Sequence, residues 1–331
     1  MATYKGISGT AVQNYAGDLP GAADGQVWYD STDKDFKYQY VTAAGTWATG
    51  NSLNTARLAF TGTGIQTAAL AVAGYTGTAN LAITELYNGS AWAEVGDLNT
   101  ARRETATAGT STSAITAGGN PGSGEVGIAE SYNGTNWTEV NDLNTDRRSM
   151  PGAGASNTSA LVFGGFGPGP PTPSNTVTES WNGTSWTEVN DLNTARAYAA
   201  FCNGTQTSAL CVTGNSSAPT LTADTESWNG TNWTEVNNVN TARNQAAGGS
   251  ADNTSALIFG SETPSPAKAF TESWNGTNWT EVNDLNTGRA KLGGSGASNA
   301  SSLAFGGETP PVTTASEEWN APTTVIKTLT D

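Results

Sequence analysis

Residues 178–196 read TESWNGTSWTEVNDLNTAR, and nearly the same words return as TESWNGTNWTEVNNVNTAR at 225–243 and TESWNGTNWTEVNDLNTGR at 271–289. The closing phrase appears first at Leu53–Arg57 and sets Arg57, Arg102, Arg147, Arg196, Arg243 and Arg289 at intervals of 45–49 residues. Ten residues before each arginine stands a tryptophan, at Trp47, Trp92, Trp137, Trp186, Trp233 and Trp279. Five residues before the last five of these comes a second aromatic (Tyr87, Tyr132, Trp181, Trp228, Trp274), and Trp319 holds the same kind of position near the C-terminus. A fixed period of this length marks stacked copies of one supersecondary unit.

Each period breaks into four strand-like pieces, which is one blade of a β-propeller. Piece a, after the arginine, is built of small residues, as in AKLGGSGA at 290–297; piece b is an apolar run such as SALVFGG at 159–165, SALCVTG at 208–214 or SALIFGS at 255–261. Piece c is TES plus the aromatic, and piece d is WTEV. Inner strands crowd the axis and need small residues, b is covered on both faces and reads as unbroken apolar sequence, and c and d need aromatics to fill the widening gap. Between c and d the Asn-Gly of WNGTNW predicts a tight hairpin in which both residues take positive φ.

Length varies mainly between b and c, from 16 residues (Leu303 to Trp319) to 20 (Leu161 to Trp181). Strands alternate in direction, so the b–c loops and the d–a link share one face, and the a–b and c–d turns share a uniform opposite face. Candidate binding residues are therefore taken from the dissimilar b–c loops: Phe166, Pro168, Pro170, Pro171, Asn175, Asn215, Leu221, Glu262 and Lys268. The repeated arginines are expected to pair with the repeated glutamates (Glu85, Glu130, Glu179, Glu226, Glu272, Glu317) as ties rather than to form an anion site, because a functional site breaks symmetry and these positions keep it. The tryptophans are expected to pack between blades, with sugar stacking on a partly open outer ring as the competing use.

Composition narrows the function classes. With 29 acidic against 14 basic residues the formal charge is −15, which provides no basic face for nucleic acid. No apolar run is long enough to span a bilayer, and MATYKGISGT carries no apolar core behind a basic end, so neither membrane insertion nor a secretory leader is expected. The chain has no histidine and two cysteines, Cys202 and Cys211, which leaves no Ser-His-Asp system, histidine-bound metal, zinc site or disulfide framework. The cysteines fall on neighbouring a and b strands, where they face each other as a disulfide or, as a reducing cytoplasm favours, remain free. No cofactor, catalytic residue or metal is expected, and the chain reads as a non-enzyme.

The arginine, apolar strand ending in Gly-Gly, aromatic and tryptophan resemble the kelch repeat of β-propellers over residues 53–331; Gly118-Gly119, Gly164-Gly165 and Gly306-Gly307 keep the doublet. The Thr/Asn/Gly-rich wording and GQVWYDSTDKDFKYQYVTAAGTW at 25–47 resemble kelch-like virion proteins of tailed bacteriophages of the marine cyanophage type, including a tail-fibre module. That resemblance implies a virion structural protein of tail, fibre or capsid decoration, assembled in the host cytoplasm within a symmetric homo-oligomeric assembly. Its partners would be other virion proteins and a host surface glycan or protein met through the b–c loops; a glycan-binding lectin or adhesin is the alternative. The expected organisation is six repeats at 53–97, 98–142, 143–191, 192–238, 239–284 and 285–331, with residues 1–52 as a divergent blade or an attachment segment. Seven blades are favoured, with TTVIKTL at 323–329 as the last d strand. In the six-blade alternative the strand of Trp47 closes beside that of Trp319.

Overall fold

The computed structural model describes residues 12–20, 22, 25–168, 174–200, 204–217, 220–262 and 267–329. Every regular element among them is a strand, and none of them forms a helix long and apolar enough to cross a membrane. The chain divides into two compact units, Met1–Thr46 with Ala321–Asp331, and Trp47–Asn320.

The larger unit is a six-bladed β-propeller. Blade one is the antiparallel sheet Thr61–Ile65, Ala68–Val72, Thr84–Tyr87 and Trp92–Glu94, and the same a-b-c-d order returns in blades two, three and five. Blade three shows the register: Leu161 faces Ser180, Val162 faces Glu179, and Trp181 faces Trp186. In blade four the described strands are Ala209–Val212, Thr225–Trp228 and Trp233–Val236, with Ala200 bridged to Val212 on the a side. Blade six takes a, b and c from Gly293–Ser298, Ser301–Phe305 and Ser316–Asn320, and its d strand from Thr46–Gly50.

Here the structure corrects the seven-blade expectation. Thr323–Thr328 supplies no d strand; it pairs with Asp35–Ala43 in a separate sheet completed by Val27–Asp30 and Gln13–Tyr15. The reason is the d aromatic. TTVIKT has none, whereas Trp47 fills the gap between Trp319, at 5.5 Å between ring centroids, and Phe259, at 4.9 Å. The described strands between Gln13 and Ala43 therefore join Thr323–Thr328 in a small separate sheet, and Thr46–Gly50 is the closing strand of blade six.

Apolar contacts lie mainly between neighbouring blades. Leu161 and Phe163 of blade three pack with Ala209, Cys211, Trp228 and Trp233 of blade four. Burying each Trp ring removes ~150–250 Å² from water, an upper estimate of roughly 4–6 kcal/mol per ring. Crowding at the axis explains the small a-strand residues: a Cβ on Gly294 would meet Gly248 O at 2.7 Å and Ala247 Cβ at 3.0 Å.

The c–d turn differs from one in which both Asn and Gly take positive φ. Four residues, such as Asn182 to Ser185, separate Trp181 from Trp186; Gly183 takes φ 92°, and Asn182 does not take positive φ. The Asn182 Oδ1 accepts from the amides of Thr184 and Ser185, both at 2.9 Å, so its side chain does the work that a second left-handed residue would do.

Candidate functional site

The repeated charges are consumed by the scaffold. Arg57, Arg102, Arg147 and Arg289 meet Glu85, Glu130, Glu179 and Glu317 at 2.5, 2.5, 2.8 and 2.9 Å, and Arg196 and Arg243 pair likewise with Glu226 and Glu272. All six arginine side chains are fully buried, which removes them as an anion-binding ring. Each glutamate also accepts from the start of the LNTAR phrase: Glu226 takes the Asn193 amide at 2.7 Å, Asn193 Nδ2 at 2.8 Å and the Thr194 amide at 3.3 Å.

The tryptophans are consumed too. No d-strand Trp exceeds 6% exposure and no c-strand aromatic exceeds 2%, so neither ring of any pair is open for a sugar. Trp137, Trp233, Trp279 and Trp47 donate Nε1 to Thr84, Thr178, Thr225 and Thr271 of the preceding blade, at 3.0–3.2 Å. Trp186 finds Ala129 at the equivalent place, and its Nε1 has no partner among the described residues. The c-strand Trp181, Trp228, Trp274 and Trp319 donate to backbone carbonyls of their own blade's a–b turn at 2.9–3.0 Å.

Symmetry breaks two residues after each arginine. Ala59, Glu104, Ser149, Tyr198, Gln245 and Lys291 all take left-handed φ between 52 and 59°. Their amides form a closed circle of hydrogen bonds: Ala59 to Lys291 O, Glu104 to Ala59 O, Ser149 to Glu104 O, Tyr198 to Ser149 O, Gln245 to Tyr198 O and Lys291 to Gln245 O, at 2.8–3.1 Å. A non-glycine residue at this φ costs about 1–3 kcal/mol, and the circle of bonds offsets that cost. A uniform backbone ring thus carries six chemically different side chains around one axis.

A cavity of about 350 Å³ opens on this ring. Blade one contributes Leu58, Ala59, Phe60 and Tyr75; the other blades add Arg103, Glu104, Ser149, Tyr198, Gln245, Glu262 and Lys291. Arg148 holds Glu104 and, at 2.8 Å, Glu125, while Ser149 Oγ donates to Glu104 at 3.0 Å. Lys291 lies 3.0 Å from Glu262 and 2.7 Å from Glu308; burial alone would lower its pKa, but these two carboxylates raise it. Arg103 stacks on Tyr75, 4.6 Å from the ring centroid, and donates to Asn80 at 3.2 Å. Burial, reinforced by Glu104, pushes the Tyr198 pKa up and keeps its hydroxyl protonated. A second cavity, among the a–b turns, is lined mostly by small residues such as Gly64, Gly109, Gly154, Gly204 and Gly296, with Ile65 the large side chain.

Three of the b–c candidates belong to the outer margin of the ring. Phe166, Asn215 and Glu262 each follow the residue pair that ends a b strand: Phe166 packs edge-on against Tyr198 at 5.1 Å, Asn215 bridges to Ala197, and Glu262 lines the cavity. The others are not gathered there. Pro168 is exposed; Asn175 is taken up locally, its Oδ1 accepting the Val177 amide at 2.8 Å; Leu221 lies in a short hairpin and Lys268 begins a c strand. Pro170 and Pro171 lie outside the described residues. The inner ring was missed by sequence reasoning, although the signal was present: in ARLA, ARRE, DRRS, ARAY, ARNQ and GRAK the last position changes chemical class in each copy.

Cys211 is a buried free thiol whose pKa burial pushes up to about 12; Cys202 lies outside the described residues. At pH 8 an alkylating reagent is expected to label Cys211 only at the rate of unfolding, read by mass spectrometry with and without denaturant; immediate native-state labelling would contradict this burial.

No family model and no curated protein matches the sequence. Among solved structures the chain is similar to that of YjhT, with a TM-score of 0.69 at 14% identity over 83% of this chain and 99% of that one. YjhT is a β-propeller, and a likeness at this identity establishes the fold alone.

Proposed function

We propose that this chain is a non-enzymatic structural protein of a tailed-phage virion, a kelch-like propeller attached through its small terminal unit and meeting its target with the d–a and b–c face. The observation that carries the reading is where exposed apolar surface lies. Among the described residues Val12, Tyr15, Phe36, Val41, Val325 and Leu329 are exposed large hydrophobics of the terminal unit, and the propeller adds only Ile65. On that sheet, strand alternation places Tyr29, Phe36, Tyr38, Tyr40 and Val325 on one face, with Tyr29 and Phe36 at 5.2 Å and Tyr38 stacked on Tyr40 at 5.6 Å. A face on which Phe36 and Val325 are exposed and Tyr29, Tyr38 and Tyr40 are half-buried suits a protein contact, as attachment to another virion protein requires. The phage assignment itself rests on the wording of the repeats and of residues 25–47.

Mass spectrometry of purified virions tests the reading: the chain is expected as a stoichiometric component, and its absence would end the proposal. Phe36→Asp with Val325→Asp is expected to reduce incorporation about tenfold or more while the propeller melts unchanged, since a central apolar contact carries on the order of 2 kcal/mol.

A further inference from the structure

We propose that the axial cavity is a single carbohydrate site that takes one neutral sugar ring, the exposed end of a glycan; this rests on reading the d–a face as the contacting face. The lining is divided as a pyranose is divided. Leu58, Phe60 and Tyr75 form an apolar wall from blade one, against which a sugar packs its C–H face, and Ser149, Tyr198 and Gln245 offer hydrogen-bonding groups from blades three to five.

Gln245 carries the argument. Its residue is nine-tenths buried, it lines the cavity, and its Oε1 has no hydrogen-bond partner among the described residues. Unpaired buried acceptors are rare in native proteins; this one is closed to solvent where it stands, and a turn of the Gln245 amide into the cavity brings it to a ligand hydroxyl, which supplies the donor it lacks. Size limits the ligand to a ring: about 350 Å³ stands at the small end of the range for ligand sites. Charge favours a neutral one. Glu104 is held by Arg148 and Lys291 by Glu262 and Glu308; Arg103 meets only the neutral Tyr75 and Asn80, but with Glu125 the carboxylates around the mouth outnumber the cations, so an acidic sugar gains no net attraction. Because the six ring positions carry different side chains, the cavity provides one site per chain rather than one per blade.

The test is titration of the full chain with methyl glycosides of neutral hexoses and with methyl glucuronide, followed by calorimetry or ligand-observed NMR. At least one neutral hexoside is expected to bind at about one site per chain, and Gln245→Leu is expected to weaken it about tenfold or more. Ala59→Tyr guards against misfolding of that variant: blade four already carries tyrosine at this left-handed position, so the backbone accepts it while the ring fills the cavity and abolishes binding. Binding at several sites per chain, binding of the acidic glycoside alone, affinity unchanged in both variants, or no binding would each overturn the site. Failure here leaves virion incorporation untouched, and absence from virions leaves this titration untouched, so the two readings fail separately.

Discussion

Arg196→Ala is expected to destabilise the propeller by about 3–5 kcal/mol, the usual loss when one member of a buried ion pair is removed. For a domain of this size the melting temperature should fall by on the order of 10 °C. Neither Arg196 nor Glu226 exposes any side chain, so the mutant leaves an uncompensated carboxylate in the interior. Three donors from Asn193 and Thr194 remain to soften that charge. The opposite truncation is worse: Glu226→Ala strands a guanidinium and orphans those three donors together, so it should cost at least as much. Thermal melting of the two variants checks both magnitude and order. An unchanged Arg196→Ala midpoint would mean that the repeated arginine is not a tie, and would reopen it as a binding group.

The second large effect is expected at ring closure. Trp47→Ala should cost about 3–5 kcal/mol, as large-to-small changes at buried Trp do. Trp47 is 5% exposed, packs on Trp319 and Phe259, and donates Nε1 to Thr271 of blade five at 3.2 Å. Among the described strands, its strand is also the only d strand supplied from outside its own repeat. Removing residues 1–50 should therefore go further and leave the c strand of blade six with a bare edge, exposing Trp319 and a template for aggregation. Denaturant unfolding measures the first effect, and light scattering of the truncated chain the second. A truncated chain that stays monomeric and as stable as the full one would show that closure does not depend on this strand.

Much of the fold was legible because its determinants are local. Small residues in a, an apolar run in b and aromatics in c and d reflect how crowded each strand is, and the period repeats the message in every blade. The pairing of Arg57 with Glu85 and its five equivalents was legible for the same reason, since a contact present in every copy leaves both residues in every copy. The Asn-Gly turn was located correctly and its geometry was not, because the Asn side chain replaces a backbone conformation, an exchange that a dipeptide does not reveal.

By itself, then, the sequence determined the propeller, the four strands of each blade and the residues spent on holding them. Tertiary structure alone decided that there are six blades, because Trp47 and Trp319 become neighbours only when the ends of a long ring meet. It alone assembled the cavity as well. Ala59 and Lys291 stand more than two hundred residues apart, yet they share a hydrogen bond at 2.9 Å because blade six comes round to blade one. Local patterning is written in each copy of a repeat; the differences between copies acquire a common location only when the circle closes.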